Sequence, residues 1–194
     1  MNRYLRALVV VPTGALKMGF AKLFHPKSFH GPALCMVSPH SEITLNGGRL
    51  SIGSGFKMRD GAKLRVRKGA ECVLGKNVSL NSNDMIVCHE KIILGDNIQL
   101  SPNVQIYDHD HDYRAEGGLA AMKYKTAPVE IGNNVWIGAG VTVLPGVAIG
   151  DNTVIGAGSV VTRDIPSGVV AVGNPCRALR DITEKDKHKY KLAP

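Results

Sequence analysis

Large rings are scarce in this chain, with aromatic residues at 5% of 194. So few rings exclude a thick core built on aromatic packing. The four cysteines, Cys35, Cys72, Cys88 and Cys176, form no CxxC pair and show no disulfide-framework spacing. Cys72 and Cys176 read as small apolar residues of a reduced, cytoplasmic protein. No uninterrupted apolar run reaches the ~18 residues that a bilayer span requires. Residues 7–16 resemble a signal core, but Pro12 interrupts them and no small-x-small cleavage site follows, so secretion is not expected. The first 41 residues contain no acid, and the chain carries a net charge of +8. That excess suits a polyanionic partner, whether a phosphorylated cofactor, acidic lipid or nucleic acid; no nucleic-acid partner is expected. The length fits one domain with a real core.

Glycine is plentiful, with 22 residues, and it recurs in a pattern. From Ile131 to Pro166 a six-residue unit repeats six times. Its lead residues are Ile131, Ile137, Val143, Ile149, Ile155 and Val161. Three positions after each lead stand Asn134, Gly140, Gly146, Asn152, Gly158 and Asp164, residue types that tolerate a positive φ and so mark corners. One position further on, Val135, Val141, Val147, Thr153, Ser159 and Ile165 are small or β-branched, suited to a second inward site. A period of six fits neither an α-helix nor a hairpin array and is a β-helix signature.

The same unit begins raggedly near Leu45, with Leu74, Leu80, Ile86 and then Leu94, Leu100, Ile106 as successive leads. Their corners are Asn77, Asn83 and His89, then Asn97, Asn103 and His109. Two phase slips read as bulged corners. Three hexads per turn would stack Leu74 on Leu94 and Ile86 on Ile106, and would set His89 one coil from His109. The expected layout is a basic amphipathic cap over 1–44, a parallel β-helix over 45–173 and a basic tail over 174–194, with short helical segments at both ends. The N-terminal segment either covers the open strand edges of the prism or lies on an anionic membrane through residues 1–30.

Between Ile106 and Ile131 the repeat is broken by YDHDHDYRAEGGLAAMKYKTAPVE, residues 107–130. A long aperiodic insertion in a strict repeat is more often functional than decorative. It concentrates histidine, aspartate and tyrosine beside the prism wall, so any chemistry is expected here.

The hexads, the histidine-bearing interruption, IGNNVWIG at 131–138, VLPGVAIGDNTVIGAGSVVT at 143–162 and AVGNPCRAL at 171–179 together resemble the hexapeptide-repeat acyltransferases. The likeness is greatest to galactoside, maltose and polysaccharide sugar O-acetyltransferases and covers about residues 74–182. It implies an all-β, left-handed parallel β-helix, assembled as a homotrimer with active sites between subunits. It also implies acetyl-CoA as acyl donor, no metal and a sugar or glycan acceptor. The family's catalytic histidine falls on His111 and its acceptor-binding asparagine on Asn81. The cofactor-side positions fall on Trp136, Ala139, Ala157, Thr162, Arg163, Arg177 and Arg180. His89 stands where the galactoside enzymes carry an acceptor-contacting aspartate, so hydroxyl recognition is expected to differ.

Acetyl transfer to a hydroxyl requires a base, an oxyanion donor and alignment of both substrates. Imidazole suits the first task. Direct attack needs no covalent enzyme intermediate, in keeping with the absence of a GxSxG motif. The group orienting His111 stays open among Asp108, Asp110 and Asp112, and a backbone N–H near Ala139 is the candidate oxyanion donor. Rival readings are N-acetylation of an amino sugar, a γ-type carbonic anhydrase with zinc on His89, His109 and His111, and a non-catalytic scaffold.

Overall fold

The computed structural model describes residues 3–183, with side chains described from Ala7 onward. Helix α1 (Arg3–Phe24) is followed by strands that wind round three walls. The first wall stacks Phe29–His30, Arg49–Ile52, Glu71–Leu74, Lys91–Leu94, Val129–Ile131 and Ala148–Ile149. The second stacks Met36–Val37, Lys57–Met58, Ser79–Leu80, Gln99–Leu100, Trp136–Ile137, Val154–Ile155 and Val169–Val172. Glu42–Leu45, Lys63–Val66, Met85–Cys88, Gln105–Tyr107, Thr142–Val143 and Val160–Val161 form the third. Neighbouring strands in these walls run parallel, giving a parallel β-helix of about six turns.

The lead residues and their small companions fill the prism interior. All six leads and all six companions of the 131–166 stretch are buried. Leu74 pairs with Leu94 and Ile86 with Ile106 in adjacent coils, so like side chains stack along the axis. Most of the expected corners have a positive φ, among them Asn77, Asn83, Asn97, Asn103, Asn134 and Asn152. The asparagines add a second stabilising contact: Asn134 Nδ2 donates to Asn152 Oδ1 at 2.8 Å, and Asn77 Nδ2 to Asn97 Oδ1 at 2.9 Å. His89, His109 and Asp164 are not among the positive-φ residues, contrary to the repeat pattern. Side-chain carboxylates take over at these corners, Asp164 accepting the Ala148 N–H and Asp108 those of residues 89–91.

Coil formation starts earlier than Leu45. Phe29–His30 already pairs with Arg49–Ile52, and Met36–Val37 with Lys57–Met58. Sequence reading missed this because Pro26, Pro32 and Pro39 interrupt the hexad spacing. Of the segment 1–44 read as a cap, helix α1 lies against the first coil, burying Val10 and Met18, while Lys17 Nζ donates to the Ser38 and Ser41 carbonyls. Those carbonyls belong to a coil with no strand below it; Ser38 O already accepts the Ser41 N–H and hydroxyl, and the ammonium adds a further donor to this open edge. At the other end Arg177–Asp181, expected as part of a basic tail, is a strand running antiparallel to Val169–Val172. A helix expected from Asp181 onward lies almost wholly outside the described residues.

At Asn134 a left-handed backbone on a non-glycine residue predicts a specific stability order. Asn134→Ala is expected to cost about 1–2 kcal/mol, since alanine pays for a left-handed φ and loses the amide ladder. Asn134→Gly is expected to cost less, and urea unfolding at fixed protein concentration distinguishes the two.

Candidate active site

At Tyr107 the chain leaves the third wall instead of turning into the first. His109–His111 pairs antiparallel with Tyr124–Thr126, and a 3-10 turn at Gly118–Ala121 closes the excursion before Val129 rejoins the prism. The aperiodic insertion is thus a hairpin. Its register sets His111 opposite Tyr124. The Tyr124 ring lies 4.7 Å from that of His111, 4.6 Å from His89 and 5.5 Å from His109. His89 and His109, one coil apart as the hexads predicted, stack at 3.7 Å with 17° between planes. Burial, and then the neighbouring His109, hold the His89 imidazole below its ordinary pKa, which favours the neutral ring.

Asp108 fixes this arrangement from beneath. Its carboxylate is fully buried and accepts the N–H groups of His89 (2.8 Å), Glu90 (2.7 Å) and Lys91 (2.8 Å). It also meets His109 Nδ1 at 3.3 Å. One side chain therefore ties the corner of the preceding coil to the base of the hairpin. None of the three aspartates left open as orienter bonds to the His111 ring: Asp108 serves His109, and Asp112 pairs with Lys125 at 3.2 Å. Tyr124 was missed in the sequence. Its only signal there was the alternation of His-Asp-His, a poor guide to a partner 13 residues away.

A second group lies elsewhere on the prism. Asn81 is half-buried, its Oδ1 accepting the Ser82 N–H, which leaves Nδ2 for a ligand. Beside it Asp84 is fully buried and accepts from the Val104 and Asn81 N–H groups; burial outweighs both bonds and pushes its carboxyl up to about 7. Trp136 is exposed, as its size requires, with Nε1 on Ser101 Oγ at 3.0 Å. Ala139 and Ala157 are adjacent exposed corners, joined by Gly158 N–H to Ala139 O at 2.8 Å. A Cβ on Gly138 would lie 2.5 Å from Ala157 N, so only glycine permits this approach. The Gly138 and Gly140 N–H groups bond to Ile155 O and Pro102 O, whereas the Ala139 N–H finds no acceptor among the described residues. Thr162 and Arg163 are exposed after the last strand of the third wall, and Arg177 and Arg180 stand opposite Val172 and Val170.

These residues divide between two edges. Asn81, Ala139 and Ala157 lie where the second wall turns into the third; His89, His109, Thr162 and Arg163 lie where the third turns towards the first. The four-residue strand Met85–Cys88 separates Asn81 from His89, a span of about 13 Å at strand rise. One protomer does not bring its imidazoles to its own Ala139 corner. The zinc alternative is also not built: among the described residues no three His, Cys, Asp or Glu side chains form a ligand group. The in-plane lone pairs of His89 and His109 run in near-parallel layers instead of converging.

Asp108→Asn removes one acceptor oxygen and turns an N–H₂ towards the 89–91 backbone. It is expected to cost about 2–3 kcal/mol and to speed hydrogen exchange at those amides selectively. Unchanged unfolding and exchange would show that the corner holds without the carboxylate.

Residues 128–163 match the family described as "Bacterial transferase hexapeptide (six repeats)". The Escherichia coli galactoside O-acetyltransferase is 45% identical over 126 residues, which are 63% of this chain and 60% of that protein. The chain therefore spans about three fifths of that relative's length. Among solved structures, a maltose O-acetyltransferase from Clostridium difficile 630 is 33% identical, covering 93% of this chain and 89% of that one with a TM-score of 0.58. A galactoside acetyltransferase in complex with coenzyme A is 31% identical, covering 93% and 86% with a TM-score of 0.57. With near-complete coverage at this identity, the chain belongs to the hexapeptide-repeat acetyltransferases, and its prism is their left-handed parallel β-helix.

Proposed function

We propose that the protein transfers an acetyl group from acetyl-CoA to a hydroxyl of a sugar or polysaccharide precursor, at sites formed between protomers of a homotrimer. The observation that carries this reading is the placement of the two groups on different edges. An exposed histidine hairpin stands at one edge and an exposed glycine-rich corner with an unspent N–H at another. Each is half of an acyl-transfer site, and apposition of unlike edges around a three-fold axis completes both halves three times.

In that site His111 takes the proton of the acceptor hydroxyl as its oxygen attacks the thioester carbonyl. The Ala139 N–H donates to the developing oxyanion. Collapse breaks the C–S bond, and the leaving thiolate recovers the proton from the imidazolium. Tyr124 packs on the His111 ring and limits its rotation. Exposed Thr162, Arg163, Arg177 and Arg180 supply hydroxyl and guanidinium donors for the donor's phosphates, and the bare corners at Ala139 and Ala157 admit its pantetheine arm. Asn81 Nδ2 and the His89–His109 stack supply the acceptor contacts. The relatives named for galactoside and maltose support a sugar hydroxyl. The neutral His89 in place of a carboxylate points to an acceptor other than a plain galactoside.

Calorimetry with acetyl-CoA and thiol release with a panel of sugar acceptors test this. His111→Ala is expected to keep acetyl-CoA affinity and lose a factor of about 10²–10⁴ in kcat. The Arg163→Ala/Arg177→Ala double variant is expected to weaken acetyl-CoA binding. Absence of saturable binding by the parent protein would contradict the reading.

A further inference from the structure

Helix α1 is apolar on two opposite faces, and the prism uses one of them. Val10, Gly14 and Met18, at four-residue spacing, face the first coil. The fit there is close: a Cβ on Gly14 would lie 2.2 Å from Cys35 O. The opposite face carries Leu8, Val9, Pro12, Leu16, Phe20 and Leu23. Leu8, Leu16, Phe20 and Leu23, with neighbouring Phe24, are each more than half exposed. A helix that covers the end of a soluble prism ordinarily turns charge outward. Here Lys17 bends inward to the Ser38 and Ser41 carbonyls, and the outer stripe has no charged residue.

Several observations bear on what covers this face. The stretch Ala7–Phe24 is long and apolar enough to cross a membrane, with mean hydropathy 1.4, a property that sequence reading had not expected. Its inner stripe and Lys17 are committed to the coil, so the helix lies along the prism end. Exposed Lys22 and Lys27 flank the stripe, and no acid occurs before Glu42. A cleft of about 470 Å³ shares Phe20 and Phe24 with this face and is lined by Phe29, Ile43 and Leu50 together with Lys17, Ser41 and Glu42.

We infer that α1 seats the prism on an anionic lipid surface. Leu8, Leu16, Phe20 and Leu23 enter the headgroup boundary, while Lys22 and Lys27 meet lipid phosphates. The inference stands apart from the acyl-transfer reading, since it rests on none of the same residues. If both hold, the acceptor hydroxyls are presented at a membrane.

Cosedimentation of the full chain with vesicles tests it, using phosphatidylcholine alone and phosphatidylcholine with about 30% phosphatidylglycerol. The parent is expected to bind the anionic vesicles more tightly than the neutral ones. Leu16→Glu/Phe20→Glu/Leu23→Glu and, separately, Lys22→Glu/Lys27→Glu are each expected to lower that affinity about tenfold or more. All five side chains are exposed, and circular dichroism verifies that both variants stay folded. No vesicle binding by the parent, equal binding to both vesicle types, or binding unchanged in the variants would overturn the inference. So would a fall in oligomer mass in the apolar-face variant when the parent ignores vesicles, which would assign the face to a second copy.

Discussion

A parallel β-helix survives only if each coil returns to the hydrogen-bonding register of the coil before it. That closure depends on the corners, where the backbone must turn sharply within a few residues. Asparagine and glycine make most of these turns by adopting a left-handed φ. At the exit from the third wall after Cys88 the device changes. There Asp108 holds three consecutive N–H groups of the coil before it. The same carboxylate touches His109 and anchors the hairpin that carries His111. The structural solution of one corner is thus also the foundation of the imidazole cluster. Register does the rest, because stacked coils place like positions one above another. His89 and His109 meet face to face for the same reason that Ile86 and Ile106 do.

Much of this was legible in the chain. Strict hexads from 131 to 166 gave the walls, the inward residues and most corners, because a corner demands a residue type that few positions otherwise favour. The insertion at 107–130 stood out because it breaks a rigid period. Its internal order did not: a hairpin closed by a long turn has no signature shorter than itself, so Tyr124 stayed hidden. The first coil was invisible for a different reason. Its first two strands are two residues long with prolines between the elements, and they hold their place through α1 and the coil above. Asp108 was counted among possible partners of His111, yet alternation along the hairpin directs its side chain inward, to the backbone and His109.

The site residues drawn from family resemblance fall mostly at exposed or corner positions, but sequence alone says nothing about which edge each occupies. The topology does. Within one prism the histidine hairpin and the Ala139 corner stand at opposite ends of the third wall. Under the proposed function, chemistry joining them is intermolecular and assembly becomes a condition of activity. The net charge of +8 fits both a polyanionic donor and the lipid surface inferred for α1.

Subunit complementation measures that central claim most directly. A His111→Ala chain and an Ala139→Tyr chain, each inactive alone, would be mixed under conditions that exchange protomers. Sites shared between neighbours regain activity wherever an intact hairpin meets an intact corner. For random mixing, that is about one quarter of the parent's sites. Recovery near that level is the predicted result. No recovery, with exchange verified by mass, would contradict a site built across protomers.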